Sequence, residues 1–255
     1  MTADGWTRAV RDQLGLGRLL PLGGAADGAW IAESAAAAVL RDAARSVRGV
    51  RIGSLRLALA DPETAGEPAV PAPPGALPPG ALRLDAEFEA TAARPLPATA
   101  DELRGALSGA AATRLGLVLD TVDLRVTALL DTEPQAPAGR PDTDCGTTPP
   151  AGTQNTQDAQ GTQGTQEDEV AAAAAAVPGV VRLAGALGGA GRAVHIGHRT
   201  APDTLAARHI RVELATATGV RALDVALAVR RAVASACTDR PTVAVVVTAV
   251  SAATD

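Results

Sequence analysis

Apolar and polar positions along the chain fall into two similar series, separated by a stretch with almost nothing to bury. In the first series Val39, Ala43 and Val47, flanked by Ala36 and Leu40, make one apolar face, and Arg41, Asp42, Arg45 and Arg48 make a wet one. That spacing predicts an amphipathic helix, with Glu33-Ser34 placed to cap its start and Gly49 to supply the left-handed position that ends it. Val50, Ile52, Leu55, Leu57 and Leu59 then alternate with outward arginines, which predicts a half-buried strand over 50–60, kinked near Gly53-Ser54. Leu82, Leu84, Ala86 and Phe88 alternate with Arg83, Asp85, Glu87 and Glu89, a second strand suited to pair with the first as an antiparallel hairpin. Between them, residues 61–80 carry seven prolines and predict a stiff, extended excursion. From Thr99 or Asp101 a helix repeats Leu103, Leu107, Ala111 and Leu115 until Gly116, and a strand on Val122, Leu124, Val126 and Leu130 closes the series.

The second series predicts a helix near 168–177, strands at 179–186, 192–199 and 208–215, a helix over 221–236 on Val225, Val229 and Val233, and a strand at 242–250. Both series run helix, hairpin, helix, strand. Both close the first helix on Val-x-Gly-Val, at Val47-Arg48-Gly49-Val50 and Val177-Pro178-Gly179-Val180. Both carry matching tails, Val126-Thr127-Ala128-Leu129 and Val247-Thr248-Ala249-Val250. The expected fold class is α+β: two tandem small modules, each with two helices packed on one face of a small, mostly antiparallel sheet. The expected units are an N-terminal amphipathic segment over 1–28, a first module over 29–130, a disordered acidic linker over 131–167 and a second module over 168–251.

Within the N-terminal segment, Trp6, Val10 and Leu14 recur every four residues on a helical pattern over 4–20, with Arg8, Arg11 and Arg18 elsewhere. Such a stretch packs on the first module, or lies on a membrane surface or grips a partner. Trp30 stands in a short extended segment, 29–32. Trp6, Val10, Leu14 and Trp30 are the expected partner contacts.

Charge changes the picture once it is divided along the chain. Residues 131–169 hold eight acids and one arginine, a net −7, against −5 for the whole chain, so the remainder carries +2. The modules are near neutral and offer no electrostatic footprint for nucleic acid. Three Gly-Thr-Gln triplets, at 152–154, 161–163 and 164–166, mark the linker as low-complexity. Alanine and valine dominate the apolar content, and the aromatics are Trp6, Trp30 and Phe88, so the cores must rest on Val and Leu. Two cysteines, Cys145 and Cys237, exclude a disulfide framework. The opening residues have no secretory pattern and no run approaches the roughly 18 apolar residues of a membrane span, so a cytoplasmic protein is expected.

Candidate chemistry is sparse. His195 and His198 lie three apart on a predicted strand, which sends them to opposite faces, and His209 is placed to face His198 across the hairpin. Two imidazoles without a third ligand do not make a zinc site. Gly185, Gly188, Gly189 and Gly191 form a glycine-rich loop between two strands, without the Gly-Lys-Ser/Thr ending of a phosphate-binding loop, and are read as a hairpin turn. Cys237 and Ser235 have no histidine near them in sequence. No catalytic residue, cofactor or metal is expected.

Trp30-Ile31-Ala32-Glu33-Ser34, leading into an alanine-rich helix and Val47-Arg48-Gly49-Val50, resembles the opening of the alkaline-shock protein family of envelope-stress proteins. The terminal strand Val243-Ala244-Val245-Val246-Val247-Thr248-Ala249-Val250 resembles that family's Val-x-Val-x-Val ending. The likeness covers both modules in outline, roughly two thirds of the chain. Glu33 departs from it, standing where the family has an apolar residue, as do the proline-rich loop and the doubling. The opening Trp-Thr-Arg and the run Leu14–Gly23 are also similar to actinobacterial proteins that carry a nucleopolyhedrovirus-protein label, which conveys no mechanism. The resemblance implies a non-enzymatic, cytoplasmic scaffold, peripheral to the inner face of the membrane. It would assemble with itself or with a membrane-anchored envelope protein under stress. The alternative is a small-molecule-binding regulatory protein with a ligand site between the modules.

Overall fold

The computed structural model describes residues 17–132, 161–185, 192–199 and 207–252. The stretch carrying Trp6, Val10 and Leu14, residues 133–160 of the spacer, and Gly188, Gly189 and Gly191 lie outside them. Among the described residues the chain is α+β, with four α-helices and two mixed sheets.

The chain enters through a short antiparallel pair, β1 (Leu19–Pro21) and β2 (Ala29–Ala32). An amphipathic helix reaching residue 20 is therefore not what forms. Gly17 sits at φ 69°, outside the helical basin, and Leu19, Leu20 and Leu22 are all buried, which a strand allows and a two-faced helix does not. Helix α1 (Glu33–Ala44) follows β2 directly and buries Ala36, Val39 and Leu40. Its N-cap is Ala32, with no side-chain cap. Glu33 is turned elsewhere: its Oε1 accepts the Leu57 N–H at 3.3 Å, and Arg18, paired with Glu33, donates Nη2–H to the Leu57 carbonyl at 2.6 Å.

Strands β3 (Val50–Leu59) and β4 (Leu82–Thr91) form the expected antiparallel hairpin, with a register shift between Ile52 and Leu55 at the predicted kink. Helix α2 (Leu96–Ala110) starts earlier than Thr99, behind Pro95 and through Pro97, positions where a missing N–H costs nothing. It continues as a π-turn over Ala111–Leu115 and stops at Gly116, φ 91°. Because α2 carries the chain back across the sheet, β5 (Leu119–Leu130) lies parallel to β4, and the sheet β3-β4-β5 is mixed rather than mostly antiparallel.

The second half has a similar order with one strand more. Helix α3 (Gly161–Ala175) is followed by β6 (Val180–Leu183), β7 (Val194–Arg199) and β8 (Ala207–Ala217), with β6 and β7 both antiparallel to β8. Helix α4 (Ala222–Ala236) then crosses over to β9 (Thr242–Ser251), parallel to β8. Helix α3 begins inside the residues read as linker: Val170 and Ala174 are buried, and Arg192 and Arg208 hold Glu167 and Gln166 at its first turns.

The two halves share one core. Strand β2, which opens the first half, pairs in parallel with β9 of the second, so the larger sheet runs β1-β2-β9-β8-β6, with β7 also on β8. Arg221 Nε donates to the Ala112 carbonyl at 3.0 Å and Arg230 to that of Ala26. No helix among the described residues is long and apolar enough to cross a membrane.

Candidate functional site: the edge of the first sheet

Corresponding positions in the halves are fixed by three details of backbone geometry. Gly49 and Gly179 both take left-handed φ, 72° and 92°. Each offers its carbonyl to the last residue of the hairpin's second strand, Thr91 N–H at 2.9 Å and Ala217 N–H at 2.8 Å. Strands β5 and β9 each bulge at the threonine of their shared Val-Thr-Ala tail: pairing passes from Val126 to Ala128, and from Val247 to Ala249. The skipped hydroxyls bond the neighbouring strand alike, Thr127 Oγ1 to the Phe88 carbonyl at 3.3 Å and Thr248 Oγ1 to that of Leu214 at 3.2 Å. Leu124, Arg125 and Val126 thus occupy on β5 the places of Val245, Val246 and Val247 on β9.

At those places the environments diverge. On β9, Val245, Val246 and Val247 pair with Ala29, Trp30 and Ile31 of β2, and all three valines are fully buried. On β5, β4 is the one neighbouring strand among the described residues. Val126 is 38% exposed, Leu129 60%, and Val118 just before the strand 55%. The sheet's other edge, β3, is blunted by Glu33 and Arg18 on Leu57; an edge left bare is a template for another strand.

The charged faces of the two sheets differ in the same way. Glu87 on β4 lies opposite Arg125 and corresponds to Glu213 on β8, which lies opposite Val246. Glu87 binds Arg125 and accepts a bond from the Ser54 hydroxyl at 2.9 Å. The Ser54 and Arg125 hydrogen bonds, with the Arg125 charge, hold its carboxyl below the usual range. Glu213 is fully buried, with its Oε1 3.1 Å from Arg211 Nε and 3.6 Å from His195 Nε2. Burial, reinforced by the Arg211 charge, lowers the His195 pKa.

Of the residues singled out from the sequence, Trp30, His195, His198, His209 and Cys237 are described, and none of them lies on β5. Trp30 is not a contact surface: it is buried, its Nε1 donating to the Leu77 carbonyl at 3.3 Å, because the proline-rich loop runs beside β1 and β2. His209 does not face His198. Register sets His209 opposite Gly197 and His198 opposite Arg208, and His209 Nδ1 lies 2.9 Å from Thr242 Oγ1. Among the described residues no group of three or more His, Cys, Asp and Glu converges as metal ligands would. Cys237 is a free thiol beside a cleft of ≈ 350 Å³ lined by Glu169, Arg208 and Asp239, within the second half rather than between the halves. Glu213 went unremarked in the sequence, although the alternation of β8 puts it with Arg211 on the face opposite Val212 and Leu214. Comparison with family models, with curated proteins and with solved structures yields no match.

Proposed function

We propose that this chain is a non-enzymatic scaffold of the envelope-stress type, built from a duplicated alkaline-shock-like module and acting by assembly with itself and with a membrane-anchored envelope protein at the inner face of the membrane. The observation that carries the reading is the edge of β5, which no other strand among the described residues covers, a long strand with Val126 and Leu129 exposed at a place where the second half keeps its own strand covered. Strand addition is a common way for such an edge to recruit a partner. Duplication is supported by the paired glycines and the paired threonine bulges. His209 lies beside Thr242 and His195 stands against Arg211 and Glu213, as parts of the sheet.

The test is fractionation of cells carrying the tagged full chain, before and after envelope stress, with in-cell crosslinking and mass spectrometry. The expected result is enrichment in the envelope fraction on stress and a crosslink to a defined membrane protein. A chain that remains wholly soluble and crosslinks to no envelope protein sinks the proposal.

A further inference from the structure

The edge strand β5 reads as a near-palindrome about Leu124. Asp123 is matched by Arg125, Val122 by Val126, Thr121 by Thr127 and Leu119 by Leu129. In an antiparallel pair, each step forward on one strand is a step back on the other. A second β5 centred on Leu124 therefore sets Asp123 against the other copy's Arg125, and Val122 against its Val126, each contact occurring twice.

The backbone is oriented for this register. On β9, Val245 donates its N–H outward to the Gly28 carbonyl at 3.0 Å, and Leu124 holds that place on β5. The Val122 carbonyl also faces outward, where Arg104 Nε reaches it at 3.4 Å. Alternate residues of a strand turn their amides to the same side, so Val122, Leu124 and Val126 all present N–H and C=O to this edge, where a second strand would replace Arg104 at the Val122 carbonyl. These are the residues that the symmetric register joins in hydrogen-bonded pairs. The two interruptions in pairing with β4, at Asp120 and Thr127, lie outside them.

The charges are placed as well. The Asp123 side chain is 59% exposed, and Arg83 stands 3.9 Å from it, the long end of an ion pair. Arg125 is 75% exposed and holds Glu87, which leaves part of a five-donor guanidinium for a second carboxylate.

We propose that two copies of this chain join by antiparallel pairing of β5 with β5 about a two-fold axis at Leu124, merging their three-stranded sheets into one. The inference deepens the scaffold reading and rests on it for the purpose of assembly. The edge of β5 is closed by a second copy as the edge of β9 is closed by β2. A strand from a different protein would satisfy the same amides, but would draw nothing from the palindrome.

Sedimentation of the purified full chain tests this. Wild type sediments as a dimer; Asp123→Arg and Arg125→Asp each set like charges opposite one another twice and weaken the dimer by about tenfold or more. The double variant, with both substitutions, restores opposite charges across the axis and regains most of the affinity that either single variant loses, the remainder reflecting the like charges now set against Glu87 and Arg83. Should a single variant lose its fold by circular dichroism, Leu124→Cys in a Cys145→Ser/Cys237→Ser background gives an independent reading, a covalent dimer with a short bismaleimide. A wild type that stays monomeric up to about 100 µM overturns the proposal, as do unaffected single variants, an unrestored double variant or no crosslink at Leu124. A monomer that still reaches the envelope fraction refutes the β5 pair and leaves the scaffold reading standing; a β5 dimer that never reaches it does the reverse.

Discussion

Strands β5 and β9 hold the same place in the two halves, each parallel to the hairpin strand before it and each bulged at a threonine, yet they meet opposite surroundings. Strand β9 is sandwiched between β8 and β2, and its Val243–Val247 core is buried throughout. Strand β5 has β4 on one side and exposes Val126 and Leu129. The difference does not come from the strands' own folding, which is alike down to single hydrogen bonds. It comes from β2, whose four residues precede α1 of the first half but serve the sheet of the second. Strand β2 lies beside β9 rather than β5, so among the described residues β5 keeps one edge without a neighbouring strand. On the proposed reading, that asymmetry is what makes β5 a surface for assembly.

The contrast breaks most readily at Trp30, the large residue that β2 sets against Val246. Trp30→Ala is expected to cost about 3–5 kcal/mol of unfolding free energy in denaturant titration, from the cavity and from the unpaired Leu77 carbonyl. A loss below about 1 kcal/mol would mean that β2 does not shelter β9. The corresponding carboxylates come next. Glu213→Ala leaves the Arg211 charge without its buried partner and is expected to cost about 3 kcal/mol, whereas Glu87→Ala, at the matching place on the open sheet, leaves the midpoint nearly unchanged. Equal responses to the two substitutions would remove the distinction between a covered and an open face. A smaller contrast separates Val247→Ala, expected at about 2 kcal/mol for a fully buried valine, from Val126→Ala, expected below about 1 kcal/mol in the monomer. If Val126→Ala costs as much as Val247→Ala in a protein that sediments as a monomer, β5 is covered by its own chain.

Much of this was legible in the residues themselves. The helices, the hairpin, the kink near Gly53-Ser54 and the final strands follow from apolar spacing, since periodicity reports which face of an element meets a core. The matching tails mark corresponding positions but not the bulges, because the threonine there is used by the backbone, through its hydroxyl, rather than by packing. Spacing along one strand says nothing about which strand lies beside it. The pairing of β2 with β9, and with it the burial of Trp30, depends on contacts more than two hundred residues apart. Parallel pairing of β5 with β4, and of β9 with β8, follows from helical crossovers, whose direction an alternation pattern does not encode. Glu33 looked like a helix cap, a role that depends on the first turn alone. It serves instead the edge of β3, a partner that local sequence cannot reveal.

The finest comparison lies in the two bulge threonines. Both hydroxyls bond the carbonyl of the neighbouring strand, so the interaction is the same and the surroundings differ: Thr248 is 8% exposed, while Thr127 lies on the open strand. Valine matches threonine in shape and removes the donor. Thr248→Val leaves the Leu214 carbonyl to find another donor away from water and is expected to cost about 1 kcal/mol, whereas Thr127→Val, where water can replace the hydroxyl, is expected to cost only about a few tenths of that. Dimer formation through β5 shifts this balance, because a second copy excludes water from the strand. The Thr127→Val penalty should therefore grow with protein concentration in equilibrium unfolding, while the Thr248→Val penalty stays constant. Concentration-independent penalties for both would place Thr127 in the same surroundings in monomer and assembly, and would count against closure of this edge by a second strand.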